Sequence, residues 1–303
     1  MRNLKVKTIK YKLLEQGFKD WLSTLGYAES TVYSMPGQLR EFLYWLENKE
    51  ITEVKAITSQ EINDFIKYFK NRKNRRRSGG LSIAHVNGQI DTINKFCKYL
   101  NKTEQLKTKI KTPYIKDESK VERLVLSLKE IQQLYKACEN NYIGLRDRAM
   151  LSVYYGCGLR KSEGLRLEIS DILFERKLLY IRKSKNNYER YVPMSGSVIK
   201  DMENYLYESR PLLLSEGSRE ESFFISERGR KLSPGSMVGR LQSLKKQSGN
   251  PLLQQKSFGL HALRHSIATH LLQKGMDIEQ IALFLGHKTL DSTQLYTHIV
   301  NDL

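Results

Sequence analysis

Residue types able to do chemistry gather in five short segments of the C-terminal part of the chain: Gly158-Leu-Arg160-Lys-Ser-Glu163, a basic stretch holding Lys185, His261-Ala-Leu-Arg264-His265, Leu285-Gly-His287, and Tyr296. Guanidinium, ammonium, imidazole and phenol groups in one set supply hydrogen-bond donors, proton carriers and one hydroxyl. His261 and Arg264 stand three apart, so on a helix beginning after Gly259 they project from the same face and bring two donors together. Taken singly, each residue has an ordinary reading: Arg160 pairs with Glu163 on a surface, His261 is a satisfied histidine, and Tyr296 is one of 17 tyrosines. The order of the segments carries more than any one of them.

Other chemistries lose their support. The chain has no GxxxxGK[ST] phosphate loop, no GxGxxG after a strand, no GxSxG elbow and no HExxH helix. His261, His265 and His270 have no carboxylate or cysteine at ligand spacing beside them, so no metal is expected. Cys97, Cys138 and Cys157 are an odd number without a CxxC pair and are read as buried reduced thiols.

The elements that must position these groups are mainly helical. Leu14, Phe18, Trp21, Leu22 and Leu25 form one stripe ending at Gly26, and a second helix near Glu29 carries Val32, Leu39, Phe42, Leu43 and Leu46 across a kink or restart at Pro36-Gly37. Thr58 and Glu61 have capping-box spacing ahead of Ile62, Phe65, Ile66 and Phe69, and a fourth helix spans about 83–100. Residues 1–105 are thus expected to form a small helical domain, 106–122 an exposed basic linker, and 123–303 a second domain. In the second, Ser127 and Glu130 repeat the capping-box spacing, 178–181 and 190–194 read as a hairpin, and 223–225 as a further strand. Helices resume from Ser257, ending at Gly275 and near Gly286, with a last one capped by Asp291 or Ser292. The expected class is mainly α, with a small antiparallel sheet in the second domain.

The 303 residues carry a net charge of +18, with +11 of it in residues 1–120, which points to a polyanionic partner and first to nucleic acid. Six of the eight residues from Lys70 to Arg77 are basic: Lys70, Arg72, Lys73, Arg75, Arg76 and Arg77. They read as a phosphate-contacting loop, or else as a solvated one. With 40% hydrophobic residues the chain is not disordered, and no apolar run is long enough for a membrane-spanning helix. Residues 1–12 lack a secretory signal, so the expected location is the cytoplasm, at the nucleoid.

Together the segments resemble the tyrosine recombinase (phage integrase) family, above all its two-domain Xer-type and integron-type members. Gly158 to Glu163 matches the family's G-[LA]-R-x-S-E box, His261 to His265 its HxLRH box, and Leu285 to His298 its LGH and nucleophile boxes with their spacing. Lys185 to Arg190, followed by Val192-Pro193, resembles its K-G-N-K-E-R-x-V-P strand turn. Asn186 replaces the glycine of that turn and Tyr188 a basic residue. The resemblance covers nearly the whole chain.

The resemblance implies a helical core-DNA-binding domain, an α-rich catalytic domain, and cleavage of duplex DNA through a 3′-phosphotyrosyl link that needs no ATP or other cofactor. It implies Tyr296 as nucleophile, Arg160 and Arg264 as a clamp on the non-bridging oxygens, Lys185 as general acid, His261 and His287 as aids to proton transfer or oxyanion binding, and Glu163 as the group holding Arg160. Lys183, on the same strand face as Lys185, is the alternative acid. It further implies inverted-repeat core sites, two protomers on each, four in the synapse, a monomer or dimer when free, and a C-shaped clamp on the duplex. A partner recombinase or accessory protein is compatible with it. Only a short basic stretch precedes the first helix, which favours the type without arm-site binding; seven residues follow Tyr296, which implies either minimal C-terminal exchange or a truncated chain. The alternatives are a topoisomerase or telomere resolvase of the same chemistry, and a DNA-binding regulator that no longer cleaves.

Neutralising Arg75, Arg76 and Arg77 together is expected to weaken binding to all DNA sequences alike and to reduce the log–log salt slope by about one for each phosphate no longer neutralised. Titration of labelled duplex at several salt concentrations checks this; an unchanged slope would take the loop off the DNA.

Overall fold

Four amphipathic stripes in the first 102 residues become four helices: α1 (Ile9–Thr24), α2 (Glu29–Glu47), α3 (Ser59–Asn71) and α4 (Ile83–Lys102). The computed structural model describes residues 4–74, 78–106, 110–117, 124–182 and 189–286. It divides into two units, 1–121 and 122–303. In the first unit Phe18, Leu22, Leu39, Phe42, Leu43, Phe65, Phe69, Ile93 and Phe96 are fully buried and form one core. Burying an aromatic or aliphatic side chain of this size contributes about 1.5–3 kcal/mol each. Thr58 and Glu61 form the expected capping box on α3. α2 runs through Pro36 without a restart, so the proline removes one backbone hydrogen bond but does not divide the helix.

The expected linker is not uniformly exposed. Leu106 and Ile110 are buried in the core of the first unit, and two asparagines of α4 hold the extended chain that follows. Asn94 accepts from the Thr112 N–H at 2.8 Å and donates to the Thr112 carbonyl at 2.9 Å. Asn87 does the same for Ile115, at 2.8 Å in each direction. Each side-chain amide thus stands in for a strand partner and satisfies both backbone groups of one residue. The charged composition of 106–122 concealed this docking, which requires only two apolar side chains and two amides.

In the second unit, α5 (Leu128–Lys136) carries its expected capping box between Ser127 and Glu130. α6 (Tyr142–Leu151) widens into a π turn over Ser152–Gly156 and is followed by the short α7 (Lys161–Gly164). A three-stranded antiparallel sheet follows in the order β1 (Ile172–Leu173), β2 (Leu178–Ile181), β3 (Arg190–Pro193), with Tyr180 opposite Tyr191 and Leu179 opposite Val192. The β2–β3 hairpin is the expected one. The third strand is 172–173, not 223–225; there the chain makes only isolated bridges, at Ser222 and Ile225, and Phe223 and Phe224 between them turn into the core beside Tyr205. Then come α8 (Gly196–Glu203), α9 (Arg210–Leu213), α10 (Pro234–Gln247), α11 (Pro251–Gln255), α12 (Leu260–Gln273) and α13 (Ile278–Leu285). The three cysteines are buried and unpaired. Among the described residues no helix is long and apolar enough to cross a membrane.

Asn94→Ala leaves the backbone N–H and C=O of Thr112, a buried residue, without their partner, at a cost of about 1–3 kcal/mol for each group. Hydrogen exchange is the measurement: the Thr112 amide should lose protection in the variant while the amides of α1 to α3 keep theirs. Unchanged exchange at Thr112 would contradict the docking.

Candidate active site

The backbone between α6 and α7 is shaped for close approach. After the π turn Gly158 takes φ +61°, and a Cβ there would meet Leu285 Cδ2 at 2.9 Å and Phe284 Cε1 at 3.0 Å. Only glycine lets the chain turn there with the end of α13 against it. Arg160 is the N-cap of α7, and Glu163 at the third helical position returns its carboxylate to the Arg160 N–H at 2.8 Å. The local helix start therefore fixes the spacing of Arg160 and Glu163.

Three arginines from different elements converge on Glu163 and on the C-terminal end of α13. Arg160 donates from Nη1 to Glu163 Oε1 at 2.7 Å and from Nη2 to the Gly286 carbonyl at 2.9 Å. Arg190, at the start of β3, donates from Nη1 to Glu163 Oε1 at 3.1 Å, from Nη2 to Oε2 at 2.9 Å, and from Nε to the Phe284 carbonyl at 3.3 Å. Arg264, from α12, donates to the Gly158 carbonyl at 2.5 Å and the Leu285 carbonyl at 2.7 Å, and its Nη1 lies 4.0 Å from Glu163 Oε2. Phe284, Leu285 and Gly286 thus each give one carbonyl to one guanidinium, at the helix end where carbonyls lack intrahelical partners and the dipole is negative.

The electrostatics follow from this geometry. Burial alone would raise the Glu163 carboxyl, but the hydrogen bonds and charge of Arg190 and the hydrogen bonds from Arg160 outweigh it and hold it at about 2. One carboxylate among three guanidinium groups leaves a net excess of positive charge. Arg264 is 4% exposed and Arg190 10%, whereas the Arg160 side chain is 20% exposed and has hydrogens left for a ligand. His261, in the first turn of α12, is open to solvent on one side and crowded on the other; desolvation first, then the charges of Arg264 and Arg160, lower its pKa. Its imidazole is neutral at neutral pH and able to exchange a proton.

The structure therefore brings together Arg160, Glu163 and Arg264, and sets His261 within the field of the arginines. Lys185, the alternative Lys183, His287 and Tyr296 lie outside the described residues, as do Arg75, Arg76 and Arg77. His270 is spent on the Tyr155 hydroxyl at 2.9 Å. In the basic run, Lys70 and Lys73 are exposed. Arg72 departs from expectation: it turns inward to the buried Glu41, with Nε 2.8 Å from Oε1, and lies over the Phe69 ring. It ties α3 to α2 and is not a free phosphate ligand. Sequence reasoning gave no role to Arg190, although the residue stood inside the hairpin motif; what marks it out is a partner 27 positions away.

Residues 125–302 match the phage integrase family. Among curated relatives, tyrosine recombinase XerD of Proteus mirabilis is 30% identical, over 93% of this chain and 86% of its own length. XerD of Oceanobacillus iheyensis is 29% identical, over 95% of each chain. Among solved structures, XerH recombinase bound to a palindromic difH substrate in a post-cleavage complex aligns with a TM-score of 0.71 and 19% identity, over 98% of this chain and 94% of its own. A lambda integrase dimer bound to a COC′ core site aligns with a TM-score of 0.67 and 20% identity, over 92% of this chain and 95% of its own. The chain belongs to the phage integrase family, and with it to the site-specific tyrosine recombinases, enzymes that act on DNA.

A carboxyl that falls from 4.5 to about 2 on folding contributes stability above its unfolded pKa and loses it as pH falls through the folded one. For the 2%-exposed Glu163 the contribution at neutral pH is about 3 kcal/mol. Glu163→Gln is expected to be less stable than wild type at neutral pH, with the difference shrinking as pH falls from about 5 to about 2. Denaturant unfolding at several pH values measures it; a pH-independent difference would mean that the arginines do not depress Glu163.

Proposed function

We propose that the chain cuts and rejoins duplex DNA by transesterification, with Tyr296 as nucleophile. The tyrosine oxygen attacks the scissile phosphorus, the bond from phosphorus to the 5′-oxygen breaks, and a 3′-phosphotyrosyl link forms. Lys185, with Lys183 as the alternative, gives its proton to the departing 5′-oxygen; a 5′-hydroxyl later attacks the link and releases the tyrosine. Arg160 and Arg264 hold the two non-bridging oxygens, whose charge grows in the transition state. The neutral His261, with His287, accepts or relays the nucleophile's proton. Because the phosphotyrosyl link conserves the energy of the broken bond, no nucleotide is consumed.

The observation that carries this reading is the cluster itself: guanidinium groups from α7, α12 and β3 fixed around one buried carboxylate, with Arg160 left partly open. The order of the Gly158, His261 and Leu285 segments supports it, as does membership of the family. The first unit, with 106–122, serves as the core-DNA-binding part, and the second as the catalytic part. Two protomers occupy an inverted-repeat site and four form the synapse. The element served is a chromosome dimer, a transposon, a phage or an integron, with or without a partner recombinase.

Wild type and Tyr296→Phe, incubated without metal or nucleotide on a nicked duplex that loses a short fragment on cleavage, test this on denaturing gels. Wild type is expected to form a covalent adduct on the 3′-phosphate and the variant none, while both bind DNA. Arg160→Ala and Arg264→Ala should each slow adduct formation by about 100-fold or more. Adduct formation by the phenylalanine variant would mean another nucleophile, and specific binding without any wild-type adduct would favour a non-cleaving regulator.

A further inference from the structure

A carboxylate offers about four lone-pair positions, and at Glu163 all four are taken. Oε1 accepts from Arg160 Nη1 and Arg190 Nη1, and Oε2 from the Arg160 N–H and Arg190 Nη2. Arg190 therefore supplies half of the hydrogen bonds that keep this carboxylate in place. Its third bond reaches the Phe284 carbonyl at the end of α13. The close fit extends to Gly286, where a Cβ would lie 2.8 Å from Arg190 Cδ and 2.9–3.0 Å from its guanidinium; this glycine also caps α13 at φ +66°. The Arg190 side chain thus joins three things: its own strand β3, the carboxylate beneath Arg160, and the end of α13, after which His287 follows in sequence.

We infer that Arg190 is a positioning residue for DNA strand cleavage: it holds Glu163 ionised and in register, so that Glu163 in turn holds Arg160 at the scissile phosphate. This rests on the strand-cleavage reading above. Arg190 spends Nη1 and Nη2 on Glu163 and Nε on the Phe284 carbonyl, so each nitrogen of its guanidinium already faces a protein partner and the residue acts through Glu163. A lysine cannot replace it fully, because one ammonium cannot span both carboxylate oxygens and the Phe284 carbonyl with the fixed geometry of a fork. Among the described residues, the titratable and charged groups facing Glu163 are Arg160 at the start of α7, Arg190 on β3, Arg264 and His261 on α12, and Tyr154 of the π turn. Burial favours the protonated acid and the arginines oppose it, so losing Arg190 moves the Glu163 pKa upward.

The test is single-turnover cleavage of the nicked duplex by the full chain across pH, read as the ratio of variant to wild-type rate so that shared ionisations cancel. For Arg190→Gln that ratio is expected to fall about tenfold as the pH is lowered through the range in which the variant's Glu163, and not the wild type's, takes up a proton. DNA affinity should stay within about twofold of wild type, and Arg190→Lys should show a flat ratio at a reduced rate. In a Glu163→Gln background, Arg190→Gln should add no pH dependence. A ratio of one at every pH, or a loss by the same factor at every pH, overturns the inference, since a merely structural role predicts the latter. Should Arg190→Gln not fold, the cycle of Glu163→Gln with Arg190→Lys decides: no further loss in the double variant supports the coupling, and additive losses overturn it. Absence of any wild-type adduct would instead refute the strand-cleavage reading itself.

Discussion

A buried carboxylate must be hydrogen-bonded on every lone pair and matched by charge, or it protonates and its site loosens. Glu163 meets that requirement with Arg160 and Arg190, and with Arg264 4.0 Å away. Much of the second unit's architecture serves this condition. The π turn and Gly158 bring α7 under the end of α13, the hairpin delivers Arg190, and α12 presents Arg264 from its second turn. Three successive carbonyls at the end of α13 take up donors that Glu163 does not use. The same helix end leads directly to His287.

This arrangement serves a phosphate-cleaving enzyme because it is over-positive. One carboxylate fixes the guanidinium groups without cancelling them, and the remaining charge awaits an anionic ligand. Fixing donors before the substrate arrives avoids reorganising them as charge develops on the phosphate, which is where electrostatic catalysis gains most. The lowered pKa of His261 follows from burial and from the same cations.

Features written in neighbouring residues were legible in the sequence. The capping boxes at Thr58–Glu61 and Ser127–Glu130, the stripes of α1 to α4 and the β2–β3 hairpin all depend on spacings of a few positions, and family-like boxes located Arg160, Glu163, His261 and Arg264. What was not legible depends on partners far apart in the chain. Asn87 and Asn94 dock a stretch whose composition suggested a free linker, Arg72 leaves the basic run for Glu41, and Arg190 finds Glu163 across 27 positions. Phe223 to Ile225 has the composition of a strand, yet core packing took its side chains. A local pattern states what a residue can do, and the tertiary structure decides which partner it meets.

The central claim is that Arg160, seated on Glu163, neutralises charge on the scissile phosphate. Cleavage of a duplex carrying a neutral methylphosphonate at the scissile position, compared with the ordinary phosphodiester for wild type and Arg160→Ala, tests it most directly. With the charge removed from the substrate there is less for the guanidinium to neutralise, so the variant's defect should shrink by at least about tenfold on the methylphosphonate. An equal defect on both substrates would mean that Arg160 supports the fold or binds DNA elsewhere, and would contradict the account.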